Sequence, residues 1–395
     1  MSTLTEVAAP RVSRLEGVLS GRLGFLLGLW LVQRALLQGI GVLVNAVSGP
    51  VPNAGPGFFG QLANWDSGYF SCIVRNGYFG PPCGDGENLE RFAFFPLYPL
   101  TSRAVAWVAG GTELTPTAVA FGMWLVAALA SFGALAALYL LVEHVRDRTV
   151  ARRASVLFLF GPYAVFLATS YSEGLYLLGA VGAWYACYRR RYLLTAGFGL
   201  VATLSRASGM FLVPALLVLY LTTTLHEHRR IRWGELVLVV SPGLGIVGYW
   251  AWLGIRTGDP LAWFHAQSLG WNRHTRWPWD TLLNQGIHVL REPRWDWQVQ
   301  AVLELLFAIG LCVALLLLAR ARDWPAVVLV ALTAASLMTS NYYLSLARNT
   351  LTLFPLVILL ADHTASRRRF VVCLGLSVAL LLFNTVQFAT GHWAD

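Results

Sequence analysis

Long apolar runs recur along this chain, and the residues that punctuate them are arginines: all 29 of its basic Lys or Arg positions are Arg. A helix needs about 20 apolar residues to cross the hydrocarbon core of a bilayer, where only helices and closed barrels satisfy their own backbone. The runs lie near 24–47, 117–142, 154–169, 174–188, 192–205, 208–224, 235–255, 299–319, 324–339, 349–361 and 370–390, which predicts about eleven spans. Several are short for a full crossing and are expected to be tilted or broken helices. Of the 395 residues, 56% are hydrophobic and 12% charged, against roughly 25% charged in soluble domains. That balance excludes a soluble enzyme, and a mean hydropathy of +0.58 excludes a disordered chain. The expected fold class is all-α: one polytopic membrane domain over 1–395, with no internal repeat and no linker to a second domain.

The arginines also set the orientation. Arg11, Arg14 and Arg22 precede the first run, and clusters at Arg146 to Arg153, Arg189 to Arg191, Arg229 to Arg232, Arg320 with Arg322, and Arg367 to Arg369 fall in alternate short loops. Short basic loops stay cytoplasmic, so the N-terminus is expected inside and two long loops, near 48–116 and 256–298, outside. The net charge of +9 is thereby spent on topology, which argues against nucleic acid as a partner. The first run is too long for the apolar region of a cleaved signal and reads as a retained span.

Five cysteines show no metal or redox spacing. Cys72 and Cys83 share the first outer loop, where a disulfide and two free thiols are both open readings. Both long loops are rich in aromatic residues, from Trp65 to Tyr98 in the first and Trp263 to Trp297 in the second. An interfacial aromatic belt explains some of them, but not the polar residues set among the rings. The densest stretch is Asn64-Trp65-Asp66-Ser67-Gly68-Tyr69-Phe70. From Tyr69 to Val74 the apolar positions have helical spacing, which suggests a short amphipathic helix in the interface plane with Asp66 at its start. Asp66 is then either a helix cap or, partly desolvated among rings, a general base for a hydroxyl. Arg34 lies about 20 Å below the outer end of the first span at 1.5 Å per residue, too deep for an interfacial phosphate, and is expected to be structural. Glu304 reads as interfacial. Asp85 and Glu87 have a D-x-E spacing, but their Gly-rich surroundings are turn-forming, and no obligatory metal is expected.

Five ordered segments carry a family resemblance. They are Trp65-Asp66 with Ile73 to Tyr78; Ala93-Phe94-Phe95-Pro96 with Pro99; Phe166-Leu167-Ala168 with Tyr171-Ser172-Glu173; Ala202-Thr203 with Arg206 and Ser208-Gly209; and Arg348-Asn349 through Phe354-Pro355. Together they resemble PIG-V-type mannosyltransferases, which add the second mannose to the GPI precursor and have bacterial counterparts. The resemblance implies a GT-C glycosyltransferase fold, a polyprenyl-phosphate mannose donor, inverting transfer on the extracytoplasmic face, and the first-loop acid, here Asp66, as base. One position departs: the animal enzymes place a His three residues beyond that acid, where this chain has Tyr69.

The leaving group of such a donor is a lipid phosphate, for which Arg offers bidentate donors. Arg206 and Arg348 fall at outer ends of spans and on the family-like segments, although snorkelling alone would also place arginines there. Further substrate-binding candidates are Trp65, Phe95, Tyr98, Glu173, Arg273 and Arg276, with Glu173 equally readable as a polar turn residue. The partners expected are the lipid-linked donor, a glycolipid or glycan acceptor, and membrane lipids. Alternatives are a transferase of the same fold using another polyprenyl-phosphate sugar, and a lipid or solute transporter, although the repeat-related halves common in transporters are not evident.

Overall fold

The computed structural model describes residues 9–49, 55–83 and 89–394. Among the described residues the chain is built of α-helices and short 3-10 turns, without strands. Five helices are long and apolar enough to cross a membrane: Gly21–Ser48, Pro116–Val145, Gly209–His226, Trp295–Arg320 and Arg367–Ala389. The pair Trp233–Val240 and Gly243–Thr257, bent by 49°, makes a sixth candidate. Tyr192–Ser205, Trp324–Met338 and Phe354–His363 are apolar but shorter.

Five or six helices, rather than all eleven apolar runs, thus reach spanning length. The reason is punctuation inside the runs. The run at 154–169 is helical only to Leu159, because Gly161-Pro162 follows; the chain then continues through a 3-10 turn, Ala164–Leu167. Proline removes a backbone donor and biases the residue before it away from helix. In the run at 349–361, a helix begins only at Phe354, with Pro355 in its first turn, a position where proline is tolerated.

The remaining helices pack closely. A Cβ on Gly179 would meet the backbone nitrogen of Ala202 at 2.4 Å, so the helices Glu173–Tyr188 and Tyr192–Ser205 touch backbone to backbone, as small residues permit in membrane bundles. The helix Pro116–Val145 starts at Thr115, whose side chain accepts from the Ala118 amide, and its 30 residues span about 45 Å. Near its far end Glu143 pairs with Arg22 at 3.0 Å and Arg146 with Asp362 at 2.9 Å. The arginine clusters of several short loops therefore collect at one end of the bundle.

The opposite end is built from the two long loops. The helix Asp66–Asn76 buries Phe70, Ile73 and Val74 and is tied to the following loop by a Cys72–Cys83 disulfide. The end of the 3-10 helix Leu89–Ala93, continuing into Phe94, is held by Tyr249, whose hydroxyl lies 2.9 Å from the Phe92 and Phe94 carbonyls, and by Trp263, whose indole donates to the Ala93 carbonyl. The second long loop and the helix before it thus brace the first. Asp85 and Glu87 lie outside the described residues.

Candidate active site

Asp66 is the first residue of its helix, and Trp65 before it has φ +54°. A bulky residue in that region carries roughly 1–3 kcal/mol of strain and persists only when its surroundings hold it. Here the Trp65 indole donates to the His392 carbonyl and its ring meets Trp393 edge to face at 4.9 Å. The Tyr171 hydroxyl donates to the Asn64 carbonyl and accepts from the Asp66 amide at 3.1 Å. The backbone on both sides of Asp66 is therefore fixed by residues distant in sequence.

The carboxylate itself meets a guanidinium. Asp66 Oδ2 accepts from Arg348 Nη1 at 3.1 Å, while Arg348 Nε donates to Glu173 Oε1 at 2.7 Å. Arg206 Nη1 reaches the same Glu173 oxygen at 2.7 Å. Arg348 is also covered by two rings, its Cζ lying 4.4 Å from the centroid of Phe166 and 4.5 Å from that of Tyr171. Such a guanidinium, fixed by planar contacts on its face and charged contacts on its edge, is pre-organised for bidentate binding. Sequence reasoning expected desolvation among rings to act on Asp66; the structure adds a cation.

The local folds behind this cluster are short. Arg206 ends the helix Tyr192–Ser205 in extended conformation. Arg348 sits on a single turn, Leu346–Asn349, which Glu304 anchors by accepting from the Ala347 amide at 2.9 Å. Glu304 is 3% exposed and lies under the turn that carries Arg348, a supporting contact that nearness to the end of an apolar run did not reveal. Its signal in the sequence was a lone acid early in an apolar run, which is functional by default. Phe166 and Tyr171 were visible only as parts of a motif, without a role.

The other candidates separate. Arg273 and Phe95 line the same pocket as Asp66, Arg206 and Arg348, with Arg273 donating to the Leu344 carbonyl. Three guanidinium groups and one carboxylate on the walls, with Glu173 behind them, leave a positive excess suited to a phosphate anion. Trp65 lines an adjoining cavity. Tyr98 is fully buried behind the wall, its hydroxyl donating to the Met123 carbonyl. Arg276 bonds Asn341 and the Thr339 carbonyl and faces a separate cleft. Among the described residues, no group of three or more His, Cys, Asp or Glu side chains comes together to hold a metal.

Comparison with known proteins bears on this site. GPI mannosyltransferase 2 from two strains of Cryptococcus neoformans var. neoformans serotype D is 28% identical over 152 residues, 37% of this chain. The match spans about a third, 34%, of those curated relatives. The oligosaccharyltransferase of Archaeoglobus fulgidus, in its apo form, superposes with a TM-score of 0.49 at 11% identity, over 94% of this chain and 56% of that one. The sequence model of the family described as Mannosyltransferase (PIG-V) matches residues 31–232. That stretch is just over half of the 395 residues and holds Asp66, Glu173 and Arg206, and on it this chain belongs to the PIG-V mannosyltransferase family.

Proposed function

We propose that this protein is a membrane glycosyltransferase of the GT-C type that transfers mannose, with inversion, from polyprenyl-phosphate mannose to a hydroxyl of a lipid-linked or glycan acceptor on the extracytoplasmic face. The observation that carries this reading is the contact between Asp66 and Arg348 at 3.1 Å on the wall of a pocket with a positive excess. Asp66 takes the proton of the acceptor hydroxyl as its oxygen bonds to C1 of the sugar. The bond from C1 to the phosphate oxygen breaks, and the phosphate leaves with the electron pair, neutralised by Arg348, Arg206 and Arg273. A phosphate leaving group needs no protonation, so one base suffices, unlike the two carboxylates of a glycosidase.

The side of the membrane is supported by two features. The Cys72–Cys83 disulfide lies in the loop that carries Asp66, and disulfides persist in oxidising compartments. The arginine clusters, which mark the cytoplasm, collect at the other end. The decisive experiment supplies purified protein in nanodiscs with a panel of radiolabelled polyprenyl-phosphate sugars and host lipid extract. Transfer from the mannosyl donor alone is expected, and undiminished by chelator. No transfer from any sugar, together with ligand-driven flux in liposomes, would replace the enzyme by a transporter.

A further inference from the structure

Asp66 borders a second cavity, of about 930 Å³, that does not contain Arg206, Arg273 or Arg348. It is the larger of the two by far, the pocket beside it measuring about 170 Å³, and falls within the roughly 300–1,000 Å³ of sites that enclose a small ligand. Its charged lining is Asp66, Glu90 and Arg75, two anions to one cation, so it lacks the positive excess of its neighbour. Burial, with the carboxylates of Glu90 and Asp66 nearby, pushes the Tyr69 phenol up, and Tyr69 thus remains a neutral hydroxyl on the same wall.

At the rim of this cavity three indoles converge. Trp393 meets Trp65 edge to face at 4.9 Å and lies at 29° to Trp297 at 5.4 Å, and Trp65 is 37% exposed. The lining also carries the polar side chains of Tyr69, Ser71, Glu90 and Asn272, a mixture of donors and acceptors that suits a ligand rich in hydroxyl groups. Indole faces for C–H surfaces, with donors and acceptors on the walls for hydroxyls, match a pyranose. An anion or a wholly apolar ligand would match less well.

We propose that this cavity is the acceptor site, with Trp65, Trp297 and Trp393 seating a pyranose ring of the acceptor. The assignment rests on the transferase reading above: in an inverting displacement the incoming hydroxyl and the departing phosphate lie on opposite sides of C1. With the phosphate on the arginine side of Asp66, the hydroxyl arrives from the tryptophan side. The ring shares its chemistry between a glycolipid headgroup and a free glycan.

The full chain in nanodiscs is titrated with methyl α-mannoside, in parallel with host glycolipid extract, and followed by tryptophan fluorescence and by mannose transfer. Trp393→Leu, which keeps apolar bulk but removes the ring, should raise the half-saturating acceptor concentration about tenfold and leave that of the donor unchanged. Trp393→Phe should restore it to within about threefold. A Trp393-dependent response to methyl α-mannoside identifies a free glycan, and one confined to the extract identifies a glycolipid. Equal shifts for donor and acceptor, an unaffected Trp393→Leu, or no response to either saccharide source would overturn the site. Saccharide binding that depends on Trp393 without any mannose transfer would instead retain the site and remove the transferase reading.

Discussion

Arg34 and Arg348 are both buried among the helices, and their partners differ in kind. Arg34, 8% exposed, spends its guanidinium on the carbonyls of Leu167, Ala168 and Ala127 and on the Ser131 hydroxyl, at 2.6–3.2 Å. Arg348, 4% exposed, is held between the carboxylates of Asp66 and Glu173. With its two terminal nitrogens on carbonyls and a hydroxyl inside the bundle, the Arg34 guanidinium works as a bracket, here on the irregular segment that leads to Tyr171 and Glu173. Arg348 instead lines a pocket wall, where its charge faces whatever anion enters. Burial alone therefore does not distinguish a structural charge from a functional one; the identity of the partners does.

Substitutions at the two arginines and their neighbours should differ in both size and kind of effect. Removing the proposed base in Asp66→Asn should lower transfer by about 10²–10⁴, with insertion into the membrane intact; wild-type turnover by the purified variant would end the assignment. Arg348→Lys keeps the charge but loses the planar fork, and the donor concentration for half-saturation should rise about 10–100-fold while that of the acceptor holds. Arg206→Ala should act in the same direction, and equal effects on donor and acceptor would count against phosphate binding by either. Arg34→Leu should instead lower stability by about 1–3 kcal/mol, read as a fall in Tm in detergent, without a selective change in donor requirement. A donor effect as large as that of Arg348→Lys would erase the contrast between the two arginines. The smallest change is expected for Glu304→Gln, whose amide oxygen can still accept from Ala347, with donor affinity within about threefold of wild type.

Much of the site was legible because charge is scarce here. With 12% charged residues, Asp66, Glu173, Arg206 and Arg348 each stood out against apolar sequence, and the structure brings these four together. Tyr98 and Arg276 stood in the same stretches, yet one is sealed behind the wall and the other faces a different cleft. Local sequence states that a ring or a guanidinium is present, not which way the packing turns it. Glu304 was read as interfacial because distance from a run's end was the only available measure of depth. It proves to lie under a helical turn that begins more than forty residues later in the chain. The short runs were similarly ambiguous, since a proline fixes where a helix stops but not what the freed segment binds.

Sequence alone was enough for the membrane and the helical class, and its arginines carried an expectation of which side the polar loops face. These follow from the transfer free energy of apolar side chains and from the cost of moving arginine across a bilayer, quantities that are summed along the chain and need no partner. Packing is what brings Asp66 to Arg348 across 282 positions, joins Arg348 to Arg206 through Glu173, and sets Asp66 between a pocket that holds three arginines and a cavity that holds a cluster of three indoles. Those are pairwise contacts at a few ångströms between distant segments, and such contacts exist only once the helices have packed.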